Sequence, residues 1–239
     1  MLDDLIMISN IDKSNMLDTI AELPKQIKDA LHIIESSNIP DFIKIDSVVV
    51  TGMGASGISG DIFHDLFYDK LETPFFVNKG YTLPKWVDKN TLTVFLSYSG
   101  NTEETITSLK NALQKKSRII CVSSGGKLKE ISEKSGLFHI GIPSGFQPRA
   151  AIAYLLFPLI YILKRNHVIS NTVDNDIEET LTILGQYCNQ FRKDIPESEN
   201  LPKQIAHRIH NTTPQLYGWG IYTSIARRWR TQINENSKM

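Results

Sequence analysis

"SVVVTGMGASGISGDIF" (residues 47–63) runs from an unbroken apolar stretch through glycines spaced G-x-G-x-x-G into an apolar pattern of helical period. The stretch carries no polar alternation, so it predicts a strand buried on both faces, and the glycines predict a tight turn into a helix. The same grammar repeats outward. "PFFV" (74–77), "LTVFLS" (92–97), "RIICVS" (118–123) and "LFHIGIP" (137–143) read as further strands. "IFHDLFYDKL" (62–71), "EETITSLKNALQKK" (103–116) and "KLKEISEKSG" (127–136) read as the helices between them. Strands that alternate with helices imply an α/β fold with a parallel sheet covered on both faces.

"MLDTIAELPKQIKDALHIIESS" (16–37) has helical spacing and precedes the first strand. "AAIAYLLFPLIYIL" (150–163) is apolar all round but shorter than the ~20 residues a membrane span needs, so it predicts a buried core helix with Pro158 inside it and no membrane partner. Residues 166–213 are more polar and predict a helical connector, with helical pattern in "DIEETLTILGQYCNQFRKDI" (176–195) and a break at "PESENLP" (196–202). "PQLYGWGIYTSIARRWR" (214–230) then restarts the logic of residues 47–63: an apolar run, a G-x-G turn and a helix. The organisation expected is therefore residues 1–165 as N-terminal helices plus a first α/β domain, 166–213 as connector, and 214–239 as the first strand-helix unit of a second domain.

A formal net charge of zero over 239 residues leaves no electrostatic footprint for nucleic acid. Cys121 and Cys188 lack zinc-site spacing and are expected as free thiols in a reducing cytoplasm. The acidic start "MLDDLIMISN" does not resemble a signal peptide. No cluster with metal-ligand spacing is visible, and neither a metal nor a cofactor is expected.

In open α/β sheets ligands bind beyond the carboxyl ends of the strands. The first such loop, "GMGASG" (52–57), matches the dinucleotide fingerprint in position, but the next strand ends in Asn78 and Lys79 where a ribose-binding carboxylate is needed, which argues against NAD. Ser56 can instead offer a hydroxyl and an N–H to a small anion. The second loop, "SYSGNTEET" (97–105), sets Ser97, Ser99 and Thr102 around Gly100 at a helix start, where unpaired N–H groups and the helix dipole favour negative charge. One hydroxyl suffices for a cap; three predict a phosphate cup. Glu103 and Glu104 fit either a helix start or a ligand role. "SSGGK" (123–127) fails as a P-loop at both ends and is expected to be a flexible rim. Arg149, in "GFQPRAAIAYL" (145–155), leads the buried helix at the end that disfavours cations, which suggests a function.

The motifs "GMGASGISGD", "SYSGNTEET", "SSGGKL", "PRAAIAYL" and "NENSK" (234–238), in this order, resemble the bifunctional phosphoglucose/phosphomannose isomerase family within the sugar isomerase (SIS) domain group. The resemblance implies flavodoxin-like doubly wound SIS domains, a hexose 6-phosphate substrate, a place in glycolysis and gluconeogenesis, and a homodimer. It assigns Ser56, Ser97, Ser99 and Thr102 to the sugar-phosphate cup beside Gly54 and Ala55, Arg149 to the reacting carbons, and Glu235 to the catalytic base. Ala55 departs from the glycine usual there. A carboxylate over C2 and a cation beside the developing enediolate are what aldose-ketose isomerisation through a cis-enediol requires. The resemblance also implies a ring-opening histidine and a lysine beyond "NENSK". The sequence stops at Met239 without them, so a fragment is expected, and a non-catalytic sugar-phosphate-binding SIS module is the alternative to an isomerase.

Overall fold

Val48, Val49 and Val50 occupy a strand from which water is fully excluded, and their branched Cβ atoms suit the pleated, two-sided burial found there. In the computed structural model, which describes residues 2–238, this is β1 (Ser47–Thr51), the second strand of a five-stranded sheet. The others are β2 (Phe75–Asn78), β3 (Thr91–Leu96), β4 (Arg118–Ser123) and β5 (Phe138–Gly141), ordered β2-β1-β3-β4-β5 and parallel throughout. This is the flavodoxin-like, doubly wound order. The central strands β1 and β3 are wholly buried, while the edge strands β2 and β5 are only partly so.

Successive side chains of each strand enter different layers, because the strand period is two. Val48, Val50, Leu92, Val94, Leu96, Ile120 and Val122 share one core with α3 (Leu23–Glu35), α4 (Gly54–Phe67) and α7 (Ala153–Arg165). Val49, Phe95 and Cys121 share the other with α5 (Glu103–Lys115) and α6 (Gly126–Lys134). Cys121 and Cys188 are both free, and burial pushes the Cys121 thiol pKa up to about 12. The expected buried helix is α7, in which Ala153, Leu155, Leu159, Ile162 and Leu163 are buried and Pro158 sits inside the helix without ending it. No helix among the described residues is long and apolar enough to cross a membrane.

The N-terminal helices α1 (Leu5–Ile11) and α2 (Met16–Ala21) are tied to the connector by charge. Lys203 Nζ donates to Asp3 and to the carbonyls of Lys193 and Ile195, and Lys193 Nζ meets Asp18 at 2.7 Å. The connector contains α8 (Val173–Gln190), packed against α3, and α9 (Leu201–Ile209), whose first turn is capped by Asn200 accepting from Lys203 N–H.

One expectation changes. The apolar run before "GWG" forms no strand: Trp219 has extended backbone at φ −134° and ψ 149°, yet residues 214–219 pair with nothing in the sheet. A strand is stable only when its N–H and C=O groups find a neighbour, and none of the five strands lies alongside. Tyr217 and Trp219 stand 87% and 90% exposed as a result. The helix that follows, α10 (Thr223–Ser237), does form and lies against α4.

Leu159→Ala, at a position of 0% exposure, should cost about 2–5 kcal/mol of stability through lost burial and the cavity left behind. A urea midpoint unchanged from the parent would show that α7 is not a core element.

Candidate active site

The chain leaves β1 toward β2 on one side and leaves β3 toward β4 on the other, so the β1/β3 boundary is the point where the strand order reverses. The two serine-bearing loops meet there. Tyr98 N–H donates to Ser56 Oγ at 3.1 Å, joining the first turn of α4 to the end of β3. Ser56 and Ser97 are buried, Thr102 is half-buried, and Ser99 is exposed.

Ser97 organises its loop from inside. Its Oγ lies 3.0 Å from Thr102 Oγ1 and accepts from Gly100 N–H at 3.1 Å, while Ser99 Oγ accepts from Asn101 N–H. Thr102 is the N-cap residue of α5, but no side chain caps the helix, and its first helical bond is Ile106 N–H to the Thr102 carbonyl. The first N–H groups of α5 therefore open onto a loop carrying three hydroxyls, an arrangement suited to an anion. α4 begins in the same way, with no side-chain cap and with Gly54 exposed at φ +50° and Ala55 half-buried in its first turn. Ala55 sits there in helical backbone, a conformation that does not need glycine.

Glu103 and Glu104 occupy the first turn of α5, as expected, and their negative charge beside Tyr81 raises the pKa of that phenol, Glu104 more than Glu103. Lys79, which stands just after β2, is paired with Asp61 at 2.5 Å.

The "SSGGK" loop is locked, where a flexible rim was expected. The Tyr98 carbonyl accepts from Ser124 N–H and Oγ–H, the Gly100 carbonyl from Leu128 N–H, and the Asn101 side chain from Lys127 N–H. Gly100 has φ +69°, and a Cβ there would collide with the Gly125 carbonyl, so only glycine lets the two loops close. Hydrogen bonds between neighbouring loops leave no trace in the spacing of either one.

Arg149 lies in a 3₁₀ turn, Pro148–Ala150, just before α7. The phenol of Tyr98 accepts from Phe146 N–H at 2.7 Å and so ties this segment to the cup. α10 supplies the rest of its surroundings: Arg149 Nε donates to Asn236 Oδ1 at 2.6 Å, and Nη1 stands 3.8 Å from Glu235 Oε2. The Arg149 carbonyl accepts from Arg228 and from Gln232. Desolvation lowers the pKa of Arg228, and the negative charge of Glu235 opposes that shift. The two residues assigned to the chemistry are thus brought into an ion pair, with the guanidinium four-fifths buried and the carboxylate about half exposed. Gln232, Asn236, Asp61 and Tyr98 did not emerge from the sequence; the i, i+4, i+8 series Arg228, Gln232, Asn236 on one helix was the signal available for two of them.

Two family profiles match the chain: residues 41–140 match the one described as SIS domain, and residues 198–239 the one described as bacterial phospho-glucose isomerase C-terminal SIS domain. The chain is 42% identical, over 93% of its length, to the bifunctional phosphoglucose/phosphomannose isomerase of Caldicellulosiruptor bescii. The chain belongs to the bifunctional phosphoglucose/phosphomannose isomerase family of SIS-domain proteins. A second family member, from Thermoplasma acidophilum, is 35% identical over 95% of this chain. The chain spans 66% of the length of each of these two relatives. Tagatose-6-phosphate ketose/aldose isomerase from Escherichia coli shares the fold, with a TM-score of 0.63 at 16% identity over 91% of this chain and 62% of that one.

His139 on β5 supports the locked loop, its Nε2 lying 2.8 Å from Ser123 Oγ, which also donates to the Gly125 carbonyl. Burial lowers the pKa of this imidazole below its ordinary value of 6.5. Unfolded chains therefore take up a proton that the folded protein resists, and the stabilisation is present above pH 6.5 and lost as pH falls through the folded pKa. His139→Gln should flatten the dependence of the urea midpoint between neutral and mildly acidic pH; an unchanged slope would assign that dependence to other groups.

Proposed function

We propose that the chain carries the sugar-phosphate cup and the catalytic base of an isomerase interconverting glucose 6-phosphate or mannose 6-phosphate with fructose 6-phosphate. The observation that supports this most directly is the convergence of Arg149 and Glu235, far apart in sequence and 3.8 Å apart in space. In this reading the phosphate rests on Ser97, Ser99 and Thr102 and on the N–H groups opening α5, with Ser56, Gly54 and Ala55 along the adjoining loop. The Glu235 carboxylate takes the proton from C2 and returns it to C1. Arg149 holds negative charge on the oxygen of the cis-enediolate formed between these steps. At 3.8 Å the pair is too long for a hydrogen bond, which leaves the carboxylate able to turn toward a substrate carbon.

The same reading makes residues 214–238 the opening of a second SIS domain, in which the extended segment around Tyr217 and Trp219 pairs with further strands. The match of residues 198–239 to the C-terminal SIS profile and the exposure of both aromatics support it. That domain would also supply the ring-opening histidine and the lysine. A cytoplasmic homodimer serving glycolysis and gluconeogenesis completes the proposal.

Glu235→Gln in the full-length enzyme should lower solvent-deuterium incorporation at C1 of fructose 6-phosphate by about 10²–10⁴-fold. Affinity should stay within a few fold, because the cup supplies the binding. Undiminished wash-in would show that another residue is the base. Arg149→Ala should weaken turnover and equilibrium binding together, since its charge meets both the substrate oxygens and the enediolate. A variant with normal turnover would remove the arginine from the site. If the parent protein binds fructose 6-phosphate but exchanges no deuterium, the non-catalytic module is correct.

A further inference from the structure

We infer that Gln232 and Asn236 are positioning residues that set the orientation of Arg149, through a closed ring of hydrogen bonds whose direction has only one solution. The ring has three members. Arg149 Nε donates to Asn236 Oδ1 at 2.6 Å, Asn236 Nδ2 donates to Gln232 Oε1 at 3.1 Å, and Gln232 Nε2 donates to the Arg149 carbonyl at 3.1 Å. It therefore starts and ends on the same residue, once at the side chain and once at the backbone.

A carboxamide can present oxygen or nitrogen in either of two flipped positions, so an isolated Asn or Gln does not dictate polarity. Here both ends are fixed. A guanidinium N–H can only donate, and a backbone carbonyl can only accept. Asn236 must then turn its oxygen to Arg149 and its nitrogen to Gln232, and Gln232 must turn its oxygen to Asn236 and its nitrogen to the carbonyl. Flipping either amide sets donor against donor or acceptor against acceptor at two contacts at once. The ring consumes Nε and fixes the plane of the guanidinium, which leaves Nη1 facing Glu235 and Gln147.

The placement follows from helix geometry. Residues 228, 232 and 236 recur every four positions and form one row on α10, and Arg228 adds a second donor to the Arg149 carbonyl. Arg149 itself stands in a 3₁₀ turn, where its own segment meets its side chain through a long contact, Nη1 donating to Gln147 Oε1 at 3.5 Å. Rotation of a planar fork by tens of degrees would move Nη1 by an ångström or more from where the enediolate oxygen must form, a displacement worth about 10²-fold in rate.

This inference rests on the isomerase reading for its catalytic meaning, and the experiment separates the two. In the full-length enzyme, Asn236→Leu should lower kcat by about 10–10²-fold with KM for fructose 6-phosphate within about threefold, because a misaligned guanidinium costs the transition state more than the ground state. Asn236→Asp keeps an acceptor for Nε–H but sets its second oxygen against Gln232 Oε1, so it should recover only part of that loss. The paired substitution of Gln232 and Asn236 by leucine should be no worse than Asn236→Leu alone, since the members act as a unit. The Arg149 Nε–H resonance in ¹⁵N-edited NMR should be protected from exchange in the parent and in Asn236→Asp, and lose that protection in Asn236→Leu, with the thermal transition of each variant verifying that it folds. An Nε–H signal indifferent to Asn236→Leu, or a kcat indifferent to it, overturns the inference, as does a kcat that falls equally in the aspartate variant. If the parent shows no turnover, the isomerase reading fails, and the Nε–H protection alone then decides whether the ring orients Arg149.

Discussion

The Gly125 carbonyl lies where a Cβ on residue 100 would have to stand, and the close approach of these two loops governs the corner of the molecule that matters most. Because Gly100 accepts a left-handed backbone at φ +69°, the chain can turn from β3 into α5 within a few residues. That turn brings Ser97 and Thr102 to 3.0 Å of each other and leaves the N-terminus of α5 uncapped. The Tyr98 backbone then joins Ser56 on one side and Ser124 on the other, and its phenol reaches Phe146, a short distance in sequence before Arg149. A side chain at residue 100 would disturb every one of these connections through a single contact.

A chain with no net charge gains nothing from long-range attraction of an anion, so any affinity for one has to be built from short-range groups. Two uncapped helix starts and a set of hydroxyls supply partial positive charge without a full cation in the cup. Three full cations nearby are committed elsewhere: Lys79 and Arg227 both bind Asp61, and Arg149 faces α10. On the proposed reading, this division separates the place for phosphate from the place for proton transfer, as suits a reaction in which the phosphate does not react.

The sheet was legible because all five strands and the helices between them follow apolar periodicity, and periodicity is local. The proximity of Ser97, Ser99 and Thr102 was legible for the same reason, being packed into one nine-residue stretch. Arg149 and Glu235 were not visible as partners by any local rule; only the order of motifs resembling a known family linked them. The strand expected before α10 did not form, because the apolar run specifies a tendency to pair but not the neighbour that pairing requires. The locking of "SSGGK" was missed because a glycine pair reads as freedom in sequence, while here it is what permits close approach.

Two carboxylates of α4 explain why Glu235 is where it is. Asp65 accepts from Ser224 N–H at 2.8 Å, capping α10 from a different helix, and Asp61 accepts from Arg227 at 2.7 Å one turn later. Ser224 and Glu235 are separated by about 16 Å of helix, so anchors at the start of α10 alone would allow a small change of angle to grow into ångströms at the carboxylate. The contacts from Arg228, Gln232 and Asn236 to Arg149 remove that freedom by holding the far end as well. Exposed ion pairs contribute little by themselves, but Asp61 is only 13% exposed and is met by two cations, so losing it would leave Lys79 and Arg227 unpaired together. The helix carrying Glu235 is therefore fixed at one end by α4 and at the other by Arg149, which makes the position of Glu235 a consequence of these distant elements rather than of its own segment.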